Sequence, residues 1–347
     1  MLTYYFTFGF MLVANRAAWG DRTTRQVVYW SLLIAMFIFS GFRYQVGCDW
    51  SGYGVNFDIQ ARRSFQDALE SREPAHWALI TLIQRLGLSY TYLNVATSAI
   101  FFFGFHTLAK RQPNPVAFLV LAFPVLVINM PMSAIRQAVA IGFVCMAYSA
   151  FIDRKLIRYV TLLLLGSLFH SSAMMFLLLA PFVVSRYSIN SFIVAGILSV
   201  PGLFFLLDTP AADLAVSRYI VRDVDAAGSA FRLGLLTLTG IGFLLYLRRP
   251  WRRHFPEDYK LASIGAWLMV AFFSLFFVST VIGDRFGYYL IPIQLMIFAR
   301  IPYLFPARRS TMMTLAPYAL LTLVFFTWTQ LSWHFQHCYL PYQMRFG

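Results

Sequence analysis

Long apolar runs follow one another along almost the whole chain and are separated by short polar connectors. A helix that crosses a bilayer needs about 20 apolar residues, and somewhat fewer where protein surrounds it. We therefore predict an all-α, polytopic integral membrane protein, a single domain over residues 1–347, with ten to twelve transmembrane helices, and we favour twelve. The runs lie at 3–14, 27–41, 91–109, 116–131, 134–151, 156–169, 171–185, 189–207, 231–247, 261–281, 285–303 and 311–331.

Two of these runs have more than one interpretation. The run 3–14 is short, but it has neither a positively charged start nor a small-residue cleavage site, so we interpret it as a retained span and not as a signal peptide. Residues 156–185 form either one long helix or a hairpin that turns around Phe169–Ser172. The pattern leaves both interpretations of this segment open.

The composition agrees with a bilayer protein, because 59% of the residues are hydrophobic and only 12% are charged, whereas a soluble domain carries about 25% charge. Of the 28 basic residues, seventeen lie in six connectors. Cytoplasmic loops are enriched in Lys and Arg, so we place these connectors in the cytoplasm and both termini outside. This orientation explains the net charge of +14 without a nucleic-acid partner. The six connectors are 15–26, 110–115, 152–158, 186–188, 248–260 and 300–310.

Two of the loops predicted to be external are rich in polar residues: 42–90, with an amphipathic helix near 76–88, and 208–230. The chain has no glycine-rich phosphate loop and no HExxH or GxSxG motif. Its three cysteines form no metal-binding pattern. Cys48 and Cys338 fall on the same predicted side, so a bridge between them is open, but we do not expect one.

Charged residues within a bilayer are costly, about 2.5–3.5 kcal/mol at a helix centre, and usually mark functional sites. Four polar groups lie at the predicted outer ends of spans. In the first, Arg43, Asp49 and Tyr53 stand among glycines, which permit tight turns and close approach of a ligand. Glu73 follows and precedes a proline suited to a helix start. The alternative is a loop in which Arg43 and Asp49 pair with each other or reach lipid headgroups.

The second group surrounds Pro131, which separates two spans. Ser133, Arg136 and Gln137 have the spacing of one helix face, and Ser133 is a candidate helix cap. A helix start favours an anion, so Arg136 has to face an anionic partner or ligand. The alternative is that Arg136 reaches the lipid interface.

The third group is His170, which lies between two apolar stretches. A single histidine in such a place is usually a packing residue. His170 is favoured as a functional residue only because it lies at the same predicted outer membrane face as the other polar groups. The fourth group opens the eleventh span with Asp284 and Arg285, and Arg285 shares a helix face with Tyr288 and Tyr289. The alternative is an Asp284 helix cap beside a packing arginine.

Arg43, Arg136 and Arg285 come from three distant segments, and we expect them to meet in an outward-facing cavity. An arginine stays charged and its planar fork matches a phosphate, so this cluster favours a diphosphate headgroup. Aromatic side chains on the same side suit stacking on sugar rings. We expect no metal, because His334 and His337 have no acidic or cysteine partners in register.

Six motifs stand in order along nearly the whole chain: GFRYQVGCDWSGY, EPAHW, MSAIRQAVAIG, FHSSA, DRFGYY and LPY. Together they resemble the EpsG family of Wzy-type polysaccharide polymerases, although Trp50 stands where that family more often has Tyr. The resemblance implies a glycosyltransferase of the bacterial plasma membrane that acts on the outer leaflet. It would join repeat units carried on undecaprenyl diphosphate into capsule, exopolysaccharide or O-antigen. It implies no soluble cofactor, and a protein that sets chain length is a candidate partner.

For such a reaction we expect a hydroxyl of the incoming repeat unit to attack C1 of the donor with inversion. The diphosphate leaving group needs charge stabilisation, and a general base would assist the hydroxyl. His170 is the first candidate for the base and Asp49 the second. The predicted substrate-binding residues are Arg43, Tyr53, Glu73, Arg136, Gln137, Asp284, Arg285 and Tyr288.

Three other functions fit parts of the pattern. A glycan ligase would use the same chemistry on a different acceptor. A lipid-linked glycan transporter or flippase would place polar groups near the midplane, often in repeated halves, whereas in this chain they lie at one face and no repeat is visible. A membrane acyltransferase would use a histidine but would not need three outward arginines.

Overall fold

The computed structural model describes residues 1–184, 189–190, 193–194, 197, 228–305 and 307–346. Over this part of the chain the protein is helical and contains no β-strand, so the predicted all-α class is confirmed there. The span predicted at 189–207 and the loop predicted at 208–230 lie outside the described residues, apart from a few positions at their edges.

The α-helices of the described residues are numbered in chain order. They are α1 Leu2–Ala17, α2 Arg22–Gly41, α3 Trp50–Gln60, α4 Phe65–Leu69, α5 Pro74–Arg85, α6 Tyr90–Ala109, α7 Pro115–Ala122, α8 Ile135–Ile152, α9 Leu156–Ser167, α10 Pro181–Val184, α11 Ser229–Gly242, α12 Arg248–His254, α13 Tyr259–Ala271, α14 Phe273–Phe276, α15 Thr280–Arg300, α16 Ala307–Leu331 and α17 Trp333–Cys338. Two π-helical segments, Phe123–Val127 and Phe243–Leu247, extend α7 and α11, and 3₁₀ helices cover Ser171–Leu179 and Ile301–Tyr303.

Five helical segments among the described residues are long and apolar enough to cross a membrane, so the prediction of about twelve spans is not confirmed by this measure. The helix α15 has 21 residues but is not one of the five, because Asp284 and Arg285 lower its mean hydropathy. The five segments are Tyr90–Ala109, Ile135–Ile152, Ser229–His254, Tyr259–Phe276 and Thr311–Leu331.

The centre of the bundle is formed by α7, α8 and α15, most of whose residues are buried. Helix α6 packs closely on α8 through two glycines. A Cβ atom built on Gly104 would lie only 2.1 Å from the carbonyl oxygen of Gly142, so the backbones approach as in other membrane helix pairs with small interface residues. The close packing of α8 holds the start of this helix in one position.

Residues 156–184 form a hairpin and not one long helix. Helix α9 ends at Ser167, and His170 has an extended backbone before the 3₁₀ helix begins. The two arms pack together, and the buried Tyr159 hydroxyl donates a hydrogen bond to the carbonyl oxygen of Phe176 at 2.6 Å. The turn therefore presents His170 at the tip of the hairpin.

The loop 42–90 folds into α3, α4 and α5, and α5 overlaps the segment 76–88 for which an amphipathic helix is predicted. Pro74 occupies the first turn of α5, as its fixed φ angle favours. The apolar face of α5, with Ile80 and Ile83, packs against Phe57 and Leu93. This small satellite core fixes the loop on the ends of the long helices.

The C-terminal segment is tied to the first residues of this loop. A disulfide joins Cys48 to Cys338, with the two Cα atoms 4.7 Å apart, so our expectation of no bridge is wrong. The backbone continues the contact, because the N–H of Tyr44 donates to the carbonyl oxygen of Gln343 at 2.9 Å. The tertiary fold brings together two cysteines that lie 290 residues apart, which their spacing alone did not predict.

The opposite end of the bundle gathers five of the six connectors predicted to be cytoplasmic, since Asn114 also donates a hydrogen bond to Asn15 in the connector 15–26. Arg111 forms an ion pair with Asp153, and the buried Arg300 forms one with Asp258. Arg300 also donates through Nε to Gln112 Oε1 at 2.8 Å. These basic connectors thus lie together, at the end of α8 that is distant from the loop 42–90. The compartment that each end faces stays a prediction.

Candidate functional site

Glu73 is the centre of a buried polar group built from three distant segments. Its Oε1 atom lies 2.7 Å from Nδ1 of His170 and accepts a hydrogen bond from the N–H of Ser171 at 3.3 Å. Its Oε2 atom accepts a hydrogen bond from Nη1 of Arg136 at 2.6 Å. Only 7% of the Glu73 side chain is exposed. The structure therefore brings together three of the predicted site residues around one carboxylate.

Arg136 stands in the first turn of α8 and faces an anionic partner, as predicted. Besides Glu73, its Nε atom lies 3.4 Å from the hydroxyl of Tyr53, and the guanidinium lies over the Tyr53 ring at 5.6 Å. The Arg136 side chain keeps 36% exposure. One edge of this guanidinium is thus held by the protein while part of the group remains open to solvent.

Ser133 does not cap α8, and this prediction is wrong. The N-cap residue is Ala134, without a side-chain cap. The Ser133 hydroxyl instead lies 3.4 Å from the N–H of Asp49 and 3.5 Å from its Oδ2 atom. The loop 42–90 provides this partner, which is absent from the local sequence. Asp49 itself is exposed beside the site.

The charges around Glu73 and His170 favour an ionised carboxylate beside a neutral imidazole. Burial alone would raise the pKa of Glu73, but four effects together lower this pKa to about 2. They are the hydrogen bond from His170, the positive charge that His170 carries once it is protonated at acidic pH, the charge of Arg136 and the N–H of Ser171. Burial lowers the pKa of His170, and the positive charges of Arg136 and Arg285 lower it further, against the opposing effect of Glu73. Nδ1 of His170 then donates to Glu73, which leaves Nε2 as an acceptor.

Arg285 is exposed on α15, and its charge acts on the His170 imidazole. Its carbonyl oxygen accepts a hydrogen bond from Nε2 of Gln137 at 2.6 Å. One turn further along, the Tyr289 hydroxyl lies 2.8 Å from the hydroxyl of Ser172. These two contacts fix α15 against α8 and the hairpin, so they set the position of Arg285 relative to His170.

Asp284 belongs to a second polar group that sequence reasoning did not find. Arg232 of α11 binds both of its carboxylate oxygens at 2.7 Å and lies over the Tyr288 ring at 5.5 Å. Asp284 is not a helix cap, because α15 begins earlier and Ser279 caps it. Arg232 stands in the first turn of a predicted span, and a charge at that place was the signal that could have identified it.

Arg43 is not part of the group around Glu73. It is 1% exposed, and its guanidinium donates to the carbonyl oxygens of Ser40 at 2.7 Å and Val46 at 3.1 Å and to Oδ1 of Asn94 at 2.9 Å. Among the described residues it forms no ion pair with Asp49, so that alternative does not hold there. The neutral acceptors around the buried Arg43 come from three elements: Ser40 of α2, Val46 of the loop and Asn94 of α6.

His76 is a further member of the site that the sequence motif EPAHW contained but that received no role. It is 1% exposed, and among the described residues its Nδ1 atom has no hydrogen-bond partner. Its ring meets that of Tyr53 edge-on, with centroids 5.9 Å apart. Burial and the charge of Arg136 lower the pKa of His76 to about 3, so it is neutral.

A family model now identifies the chain. The model of the EpsG family matches residues 26–344, a range that contains every site residue described above. The chain belongs to the EpsG family. In comparisons with curated proteins and with solved structures, no match is found.

Membership of the EpsG family associates the chain with polysaccharide polymerase-like function, and its apolar helices are those of a membrane protein. In the part of the chain that the structure describes, no group of three or more His, Cys, Asp or Glu side chains is placed to hold a metal ion. The chemistry that this EpsG site can perform therefore has to be argued from Arg136, Arg285, Glu73 and His170.

Proposed function

We propose that this EpsG-family protein joins oligosaccharide repeat units, carried on a polyprenyl diphosphate such as undecaprenyl diphosphate, into a surface polysaccharide by inverting glycosyl transfer. The observation that carries the proposal is the carboxylate of Glu73, which holds His170 on one oxygen and Arg136 on the other. An acid that orients a base is the arrangement of many group-transfer sites. A fixed guanidinium beside it supplies the charge that a leaving diphosphate needs.

The exposed guanidinium groups at the site favour an anionic ligand. Arg136 keeps 36% of its side chain exposed beside Glu73, and Arg285 is exposed on α15. Arginine binds phosphate oxygens through paired N–H groups, and a diphosphate supplies charge of the opposite sign. We assign this leaving group to the exposed parts of Arg136 and Arg285.

The reaction step follows from the tautomer of His170. Its Nε2 atom accepts the proton of the attacking hydroxyl while the oxygen forms a bond to C1 of the donor sugar. The bond from C1 to the phosphate oxygen breaks, and the diphosphate leaves with the electron pair. Glu73 keeps Nδ1 protonated and stabilises the imidazolium that forms. Asp49, exposed at the edge of the site, is the second candidate for the base.

The other predicted residues receive supporting roles in this proposal. Tyr53 and Tyr288 are buried, and each ring packs against an arginine, so we assign them the positioning of Arg136 and Arg232 in place of the substrate contacts expected from the sequence. Gln137 positions α15 through the Arg285 carbonyl group. Asp284 contributes through its ion pair with Arg232. We assign Arg43 a structural role in holding the loop, in place of the substrate contact expected from the sequence.

The test is polymer formation by the purified protein in liposomes that contain lipid-linked repeat units. Arg136→Ala should abolish the ladder of polymer lengths. Arg136→Lys should restore little of it, because a lysine ammonium cannot form the two parallel hydrogen bonds that a planar guanidinium forms with a phosphate. Arg62→Ala is the matched control, since Arg62 is an exposed arginine of the same loop region. Full-length polymer from well-expressed Arg136→Ala would overturn the diphosphate role.

The same assay separates the competing functions. Transfer of a single glycan to another acceptor, without a ladder, would indicate a ligase. Movement of the lipid-linked unit between leaflets without bond formation would indicate a flippase. The collection of Glu73, Arg136 and His170 at one end of α8, and not at the midplane, favours catalysis over transport.

A further inference from the structure

An apolar cavity lies directly beside the polar site. It has a volume of about 310 Å³ and is formed by α9, the turn of the hairpin and the start of the 3₁₀ helix. This volume is in the range of small-molecule sites, roughly 300–1,000 Å³. The apolar side chains that line it are Leu164, Leu165, Leu168 and Met174. Such a lining fits a hydrocarbon ligand and not a sugar.

The cavity and the polar site share a wall. Ser171 lines the cavity, and its N–H is the group that donates to Oε1 of Glu73. Leu168 also lines the cavity, and its carbonyl oxygen accepts a hydrogen bond from the N–H of Ala75 at 3.1 Å. Arg72, the residue before Glu73, is exposed and lines the cavity as well. A ligand could therefore place its apolar part in this cavity and its anionic head at Arg72 and the site.

A second cavity continues along the same helix. It has a volume of about 760 Å³, and Thr161 lines both cavities. Leu156, Ile157 and Leu162 belong to this second cavity, which ends among basic residues of the connector before α9. At 1.5 Å per residue, Leu168 and Thr161 are about 10 Å apart along the helix axis. The two cavities adjoin at Thr161 and follow α9 away from the polar site, and we call the pair the α9 groove.

We propose that the α9 groove binds the prenyl chain of the lipid-linked donor, with its diphosphate end toward Arg72 and the Glu73 site. This inference rests on the proposed function. An apolar cavity beside the polar site meets a second one further along α9 at Thr161, so a hydrocarbon chain whose diphosphate lies near Arg72 has a path along this helix. Arg72, at the end of the groove near the polar site, carries the positive charge that binds a diphosphate. The apolar side chains of the groove would stabilise a bound hydrocarbon chain by burying its surface.

The test compares two donors that carry the same glycan, one on undecaprenyl diphosphate and one on geranyl diphosphate. Leu165→Trp fills the first cavity, the one beside the polar site, and should raise KM for both donors. Ile157 lines the second cavity and not the first, so Ile157→Trp should raise KM at least about tenfold for the long donor only. Leu323→Trp, at an exposed position of α16, should change neither KM.

The outcomes separate this inference from the proposed function. If the unchanged protein makes no polymer from either donor, the proposed function fails. If it makes polymer but Ile157→Trp leaves both KM values unchanged, or raises them equally, the α9 groove does not hold the prenyl chain. A photoreactive undecaprenyl diphosphate gives a measurement that needs no variant. If the probe labels α9 and an excess of unlabelled undecaprenyl diphosphate abolishes this labelling, the proposal is supported. If an excess of phospholipid abolishes the labelling equally well, the proposal is overturned.

Discussion

Replacing Glu73 with glutamine tests the centre of the site while it keeps the shape of the side chain. The carboxylate holds His170 at 2.7 Å and Arg136 at 2.6 Å. A glutamine amide has only one oxygen, so it can accept from one of these donors and presents N–H groups to the other. The substitution therefore removes both the charge and one of the two contacts.

The expected loss of stability follows from these two contacts. A hydrogen bond to a charged group contributes about 1.5–3 kcal/mol. The contact with Arg136 belongs at the lower end, because 36% of that side chain is exposed and solvent screens the pair. We expect Glu73→Gln to lower the free energy of unfolding by about 2–4 kcal/mol. Because His170 loses the anion that orients it, polymer formation should fall by about a hundredfold or more.

The dependence of stability on pH provides a second measurement. The pKa of Glu73 is about 2 in the folded protein, below its ordinary value of 4.5. Between these values the unfolded chain binds more protons than the folded one, so stability is lost as the pH falls through this range. Glu73→Gln lacks this titration, and its free energy of unfolding should change less between pH 4.5 and pH 2.

The assay is the polymer ladder in liposomes, together with thermal unfolding of the purified protein at several pH values. Glu70→Gln is the matched control, because Glu70 is exposed in the same region and contacts only the Gln66 side chain among the described residues. It should behave like the unchanged protein. A Glu73→Gln protein that polymerises as fast as Glu70→Gln would refute the view that Glu73 orients the base.

Two further predictions concern the electrostatics of the site and the packing of the bundle. Arg285→Gln removes a charge that lowers the pKa of His170; if neutral His170 is the base, the acidic limb of the pH–rate profile should move to higher pH, and an unmoved limb would contradict this role. Gly104→Ala places a Cβ atom 2.1 Å from the carbonyl oxygen of Gly142, so thermal unfolding should show a loss of about 1–3 kcal/mol. Gly9→Ala, which meets no atom within 4 Å, should show almost none.

The positions of the helices could be predicted closely from the pattern of apolar residues. The predicted span 134–151 corresponds to α8 at Ile135–Ile152, and the predicted span 91–109 corresponds to α6 at Tyr90–Ala109. Local hydrophobicity decides where such a helix lies. The number of spans could not be settled in this way, since a helix such as α15 carries polar residues that protein neighbours surround.

The membership of the site could be predicted in part. Arg136, His170 and Glu73 were identified because charged or polar side chains at span ends are costly and usually functional. Their pairing was not identified, since it depends on the fold of the loop 42–90. Arg43 shows the same limit, because its local sequence resembles that of a ligand contact while its guanidinium is buried among neutral acceptors.

Composition and spacing alone predict a helical membrane protein with basic connectors at one end and polar residues at the other. These properties depend on the transfer of each segment between water and lipid, which composition and spacing describe. Which charge meets which partner depends on the three-dimensional fold: Arg136 pairs with Glu73, and Asp284 pairs with Arg232. Hydrogen bonds form only within about 3 Å, and distances of that size are set by loops and close helix packing.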